Sequence, residues 1–264
     1  MTVFCNYGRY YDLLYRDKDY AGETEYIASL LLRFRPEARS IIELGSGTGR
    51  HAGLLSGKGY VIHGVELSSE MLAQARLLST CDANLTFTHG DIRKVRLQTT
   101  FDAAISLFHV ISYQTTNSDL LAAFRTAREH LSTGGIFIFD CWYGPAVLTQ
   151  RPSVRIKRVA DEEIEVTRLV EPELHPNSNL VDVHYQVFVR DKASNAVNEL
   201  RETHRMRYLF QPEIELLLEQ AGFHLAHGEE WMTGKPIGTA TWGACFLAQA
   251  CERRVRKPYD DENG

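Results

Sequence analysis

The sequence predicts an α/β protein with a doubly wound, mostly parallel sheet of seven strands whose last strand is antiparallel, plus an inserted small antiparallel β-sheet. Three observations carry this. Short apolar runs alternate with helical patterns from Ile41 to Asp140. Three of those runs close on an acid, at Glu43, Glu66 and Asp91, which sets acids along one edge of a parallel sheet. From Val154 onward the period changes to strict alternation, as in Val181, Val183, Tyr185, Val187 and Val189.

The bulk properties narrow the function classes. A chain of 264 residues with 44% hydrophobic and 24% charged side chains is long enough for one large α/β domain with an insertion. A net charge of −5 gives no long-range attraction to a polyanion, so no nucleic-acid partner is expected. Five scattered cysteines without a C-x-x-C pair favour reduced thiols and no metal site. The amino terminus lacks the apolar core of a signal peptide, and no stretch approaches a membrane span. A cytoplasmic protein is expected, with no membrane contact.

Taken in order, residues 7–20 hold five tyrosines among charged residues. They read either as an amphipathic helix packed on the core or as an aromatic lid over a ligand. A helix follows from Tyr20 to Phe34, ended before Pro36. Ile41-Ile42-Glu43-Leu44 is a strand that breaks into Gly45-Ser46-Gly47-Thr48-Gly49, with a helix from Arg50 to Ser56. Such a turn presents backbone N–H groups to a ligand, and glycine lets that ligand approach. The next strand ends at Glu66, 17 residues past Gly49, where a carboxylate accepts ribose hydroxyls. The competing reading of Glu66 is a solvated acid at a strand end.

Ser68 opens a helix whose apolar face includes Met71. A strand from Leu85 closes on Asp91, placed to take an adenine amine, with Ile92 lending an N–H and apolar surface. Phe101–Phe108 is a fourth strand leading into His109. A helix from Ser118 to Leu131 is expected to end at Gly134-Gly135, before a fifth strand, Ile136–Asp140. Three or four antiparallel strands then fill 151–208, with Glu171–Asn177 as a polar loop. The expected organisation is a core of 1–150 and 209–251, this insertion, and a solvated tail from 252 to 264. The insertion has two candidate uses, as a substrate wall and as a homodimer interface.

The glycine turn is not a dinucleotide fingerprint, because Arg50 stands where G-x-G-x-x-G needs its third glycine. That counts against an NAD-dependent oxidoreductase. Glu43-Leu44-Gly45-Ser46-Gly47-Thr48-Gly49 instead resembles motif I of class I S-adenosylmethionine-dependent methyltransferases, a Rossmann-like family. The resemblance implies S-adenosyl-L-methionine as cofactor. Its site would comprise Tyr20, Glu43, Gly45, Ser46, Gly47, Gly49, Glu66, Leu67, Met71, Asp91, Ile92 and Leu107. Glu43 would suit the ammonium of the aminoacyl part.

Tyr11-Asp12-Leu13-Leu14-Tyr15, Lys18-Asp19-Tyr20 and Val65-Glu66-Leu67-Ser68 are similar to the deoxysugar N,N-dimethyltransferases. That similarity implies a small-molecule acceptor, such as an aminosugar, bound by Tyr11, Tyr15, Trp142 and Tyr143. The group carries Gly-Arg-Gly before its last strand, with the Arg on substrate phosphate. Here Thr239-Ala240-Thr241-Trp242-Gly243 stands instead, which leaves a small amine or hydroxyl acceptor open. His109 is the candidate base or orienter, against the alternative of a structural histidine. A cofactor-binding regulatory protein without turnover is the non-enzymatic alternative.

Overall fold

The computed structural model describes residue 10 and residues 13–252. Tyr7, the candidate substrate residue Tyr11 and the tail beyond Glu252 lie outside the described residues.

Helix α1 (Tyr20–Phe34) is capped by the Asp19 side chain, which accepts from Gly22 N at 2.8 Å. It leads into β1 (Ser40–Leu44), the glycine turn and α2 (Arg50–Ser56). There follow β2 (Val61–Glu66), α3 (Ser69–Ser79), β3 (Leu85–His89) and β4 (Phe101–Ser106). A 3-10 helix (Val110–Tyr113) and α4 (Asn117–Glu129) precede β5 (Leu131–Tyr143) and α5 (Gly144–Gln150). The antiparallel strands are β6 (Arg155–Ala160), β7 (Ile164–His175), β8 (Leu180–Asp191) and β9 (Val197–Leu209). Last come α6 (Gln211–Ala221), β10 (Phe223–Glu230) and β11 (Gly243–Ala250).

The core sheet runs β3-β2-β1-β4-β5-β11-β10, with β1 to β5 parallel and β11 antiparallel to both neighbours. Period two sorts its residues to two faces. Phe137 and Phe139 of β5 pack with Phe124 of α4, Leu218 of α6 and Phe246 of β11. Ile136 and Ile138 turn the other way and pack with Ile27 and Leu31 of α1 and Leu55 of α2. Each such buried Leu or Ile contributes about 1.5–3 kcal/mol. Helices therefore cover both faces, and strand order reverses between β1 and β4, where a crevice opens at the carboxyl edge.

β5 is longer than expected. Its pairing begins at Leu131 beside Phe101, with an irregularity that absorbs Gly134-Gly135 inside the strand. The helix before it ends at Glu129, where His130 caps it, so the glycines do not terminate that helix. At its far end Trp142 and Tyr143 pair with Tyr208 and Leu209 of β9, past the last β4 pair at Phe139. The β9-β8-β7-β6 run thus joins the core sheet at its carboxyl end. Within it β7 and β8 stay paired from Ile164 to His175. Glu171–His175 is consequently strand, and only Pro176–Ser178 turns, which corrects the expected polar loop. Tyr10 and Leu14 are buried against Ile164, Val166 and Val187 of this sheet. That end of the tyrosine-rich segment packs as core, and the other end lines the site.

Candidate active site

A cavity of about 720 Å³ occupies the carboxyl edge, within the range of small-molecule sites. The glycine turn forms one part of its wall. Gly45, Gly47 and Gly49 have φ of 83°, 57° and 79°, in the left-handed region. A Cβ on Gly45 would lie 2.6 Å from Val110 Cγ1, whereas on Gly47 the nearest atom would be Met71 Sδ at 4.0 Å. Gly45 is thus held tight and Gly47 faces space. Gly49 caps α2 and looks toward Phe87, Ala75 and Leu78, so its part is packing.

Glu66 is gripped by the turn: Gly47 N donates to Oε2 at 2.8 Å and Ser68 N to Oε1 at 2.7 Å. Burial pushes its carboxyl up, while these N–H groups act downward. Each oxygen keeps lone pairs for a further donor. Leu67, Met71, Asp91, Ile92, Leu107, Tyr15 and Tyr20 also line the cavity. Asp91 lies two residues past β3, bound by the Arg93 guanidinium, which holds its carboxyl below the usual range.

Glu43 sits behind the turn, 1% exposed and outside the cavity wall. Burial first, then the Glu66 charge, pushes its carboxyl up to about 8. Its Oε2 and the Ser46 Oγ are buried without a hydrogen-bond partner among the described residues. A buried charge chain runs behind them: Lys18 contacts Glu23, His51 Nε2 lies 2.7 Å from Glu23 Oε2, and His51 Nδ1 lies 3.8 Å from Glu43 Oε1. The Lys18 ammonium stands 4.3 Å over the Tyr20 ring and 4.5 Å over Phe108.

β4 ends with Ser106 Oγ donating to Leu44 O at 2.8 Å, after which Phe108 and His109 take φ of 62° and 63°. Two successive non-glycine residues in that region store strain at the cavity. The geometry is held by buried Asp140, whose oxygens each accept from His109 N at 3.1 Å. His109 Nδ1 is 2.7 Å from Asp140 Oδ2, off the line of a hydrogen bond. The ring lines the cavity, edge-on to Trp142 at 6.3 Å.

Of the aromatic pair after the fifth strand, the structure brings only Trp142 to the cavity. Tyr143 points to the opposite face and packs near Phe246, because both residues belong to a strand with period two. The cavity also gains residues that sequence reasoning missed, among them Tyr113, Arg155, Tyr185, His204 and Met206. Tyr185 stood in the alternating pattern, but nothing local distinguishes a strand residue that faces a ligand from one that faces core.

The donor set fits S-adenosylmethionine. Carboxylates and glycine N–H groups surround the turn, and orphaned polar atoms lie beneath it. That suits hydroxyls and an ammonium better than a pyrophosphate. When bound, the cofactor supplies an electrophilic methyl group for in-line transfer to a nucleophile.

Residues 41–135 match a family described as "Methyltransferase domain". The dTDP-3-amino-3,4,6-trideoxy-alpha-D-glucopyranose N,N-dimethyltransferase of Streptomyces venezuelae is 31% identical over 230 residues, covering 86% of this chain and 92% of that protein. The solved sugar N-methyltransferase KedS8 of Streptoalloteichus superimposes with a TM-score of 0.80 at 25% identity, covering 96% and 97% of the two chains. DesVI of Streptomyces venezuelae gives 0.78 at 27%, covering 95% and 100%. With a glycine turn and acids suited to that cofactor, and a relative this similar over nearly its whole length, the chain belongs to the S-adenosylmethionine-dependent methyltransferases, alongside the deoxysugar N,N-dimethyltransferases.

Proposed function

We propose that the chain methylates the amino group of a nucleotide-linked aminosugar. The observation that carries this reading is one continuous cavity with acids and glycines in one part of its wall and Tyr15, His109 and Trp142 in another. The first set holds the cofactor and the second the acceptor. A neutral amine is already nucleophilic, so alignment and exclusion of water supply most of the rate. His109, anchored by Asp140, orients the amine or removes its proton. Arg155 lines the same cavity and provides a cation for phosphate where 239–243 has none. The β6–β9 segment, proposed as a unit over 151–208, serves as the acceptor wall. Its edge strand β6 exposes Ile156, with Val154 exposed just before it, which supports a homodimer face testable by sedimentation velocity.

Among the described residues no helix is long and apolar enough to cross a membrane, and four cysteines are free thiols. The free thiols suit a reducing, cytoplasmic compartment, and the net charge of −5 favours a small-molecule acceptor over a nucleic acid. The test is release of S-adenosylhomocysteine with dTDP-3-amino-3,6-dideoxy-alpha-D-glucopyranose, the corresponding 3-hydroxy sugar nucleotide and a simple phenol as acceptors. Turnover confined to the amine supports the reading. Turnover only with a hydroxyl acceptor overturns it, and cofactor binding without turnover on any acceptor favours a regulatory binder.

A further inference from the structure

A chain of three titratable side chains runs from the cavity wall into the antiparallel sheet. Tyr113 Oη lies 2.8 Å from His204 Nδ1, and His204 Nε2 lies 3.1 Å from Glu202 Oε2. Tyr113 and His204 line the cavity, yet the His204 residue is only 3% exposed. Two-residue spacing on β9 puts Glu202 and His204 on one face, and the 3-10 helix after His109 brings Tyr113 against them. Tyr185 of β8 packs edge-on to the imidazole at 4.6 Å.

The chemistry of the three groups sets the direction of their hydrogen bonds. A carboxylate only accepts, so Glu202 calls for the proton on His204 Nε2. The neutral ring is then an acceptor at Nδ1, and Tyr113 donates its hydroxyl proton there. Tyr113 lines the cavity, and a phenol oxygen that donates its proton can still accept from an N–H donor. Glu202 also stabilises the imidazolium that forms if His204 gains a second proton. Tyr10 faces Glu202, and the Arg168 guanidinium lies 5.3 Å from the Tyr185 ring. Arg168 opposes a positive charge on His204 and Glu202 favours it; Glu202 is in direct contact.

We propose that Tyr113, His204 and Glu202 form a proton relay that takes the proton from a methylated acceptor nitrogen. The proposal rests on the amine reading above. An amine that has gained a methyl group is an ammonium with no lone pair. One N–H proton passes to Tyr113 Oη while the phenol's own proton moves to His204 Nδ1. The products are a neutral methylamine, a neutral tyrosine and an imidazolium beside Glu202, so charge and protons balance. The nitrogen has recovered the lone pair that a second methylation requires. Tyr113 is the group that touches the acceptor; Glu202 is a positioning residue acting through His204.

The test compares wild type with Tyr113→Phe, His204→Gln and Glu202→Gln, using the aminosugar nucleotide named above and mass spectrometry of mono- and dimethylated products. At pH 7 the dimethyl-to-monomethyl ratio falls about 100-fold in Tyr113→Phe and His204→Gln, the low end for a positioned base. The ratio recovers near pH 9.5, where solvent deprotonates the intermediate, and the calorimetric Kd for S-adenosylmethionine stays within about twofold of wild type. Product ratios and pH profiles equal to wild type in Tyr113→Phe, which removes a single oxygen, overturn the relay. A second readout needs neither cofactor nor turnover. By NMR the neutral His204 ring in the cofactor-free protein carries its proton on Nε2, facing Glu202; Glu202→Gln weakens that tautomer preference, and an unmoved preference overturns the coupling. A wild type that methylates no amine sinks the proposed function, while the NMR tautomer readout still decides whether the three groups form a coupled chain.

Discussion

At the scale of single residues, Glu43 makes the sharpest claim. Burial and the neighbouring Glu66 charge raise its carboxyl to about 8, above the unfolded value, so the free protein at pH 7 holds a proton there. The sign for stability follows: the folded state binds more protons than the unfolded one from about pH 4.5 to about 8, so stability falls as pH rises through that window. An ammonium brought to the glycine turn favours the ionised form. S-adenosylmethionine binding at pH 7 should therefore release up to about one proton, seen as binding heats that differ between phosphate and Tris. Equal heats in the two buffers would refute the coupling, and Glu43→Gln should abolish the difference. The same variant should be more stable than wild type at pH 9, where the native protein carries a buried charge. Gly45 makes a steric claim of the same scale. With φ at 83° and Val110 2.6 Å from an added Cβ, Gly45→Ala should cost about 1–3 kcal/mol in urea denaturation and weaken cofactor binding.

At the scale of elements, one carboxylate ties the start of β1 to β4. Asp102 Oδ2 accepts from Arg39 N at 2.9 Å, Ser40 N at 3.0 Å and Ser40 Oγ at 2.9 Å. Burial acts to raise its pKa, but these donors outweigh it and hold the group below the usual carboxylate range. Asp102→Ala leaves two backbone N–H groups without that partner and should cost about 2–4 kcal/mol at pH 7. A depressed acid contributes its stability above the unfolded pKa and loses it as pH falls through the folded one. The gap between wild type and variant should accordingly shrink by pH 3, and a pH-independent gap would show that the carboxylate charge is not what ties the strands.

The same scale shows why the sequence was legible in some places and silent in others. The turn at Gly45–Gly49, its helix Arg50–Ser56 and Glu66 were readable because backbone conformation, capping and strand ends are local properties. Gly134-Gly135 misled because a strand irregularity and a helix stop use the same residue. Glu171–His175 misled because β8 supplies a full partner to a polar, proline-containing segment. Tyr143 failed because β5 runs three residues beyond Asp140 and period two turns that ring to the core. Tyr113 and His204 lie 91 residues apart, and only the joining of β9 to β5 brings the antiparallel sheet over the cavity.

At the scale of the whole molecule, the cavity draws its wall from the turns after β1 and β4, from β2 and β5, from the amino-terminal segment and from the antiparallel strands together. A ligand seated there touches the core sheet, the amino-terminal segment and the antiparallel strands at once, so binding should stabilise the fold as a unit. Linkage gives the size: at 100 times Kd, a ligand specific for the native state adds about 2.7 kcal/mol. For a chain of this length that is a rise in Tm of about 5–10 °C. Differential scanning fluorimetry with S-adenosylmethionine should show this shift, and S-adenosylhomocysteine should act in the same direction through the same adenosine and aminoacyl contacts. NAD should give none, because Arg50 replaces the third fingerprint glycine and the acids around the turn repel a pyrophosphate. A shift with NAD equal to that with S-adenosylmethionine would mean that the turn selects adenosine alone. The roles given to Glu43 and to the buried chain from Lys18 to His51 would then have to be abandoned.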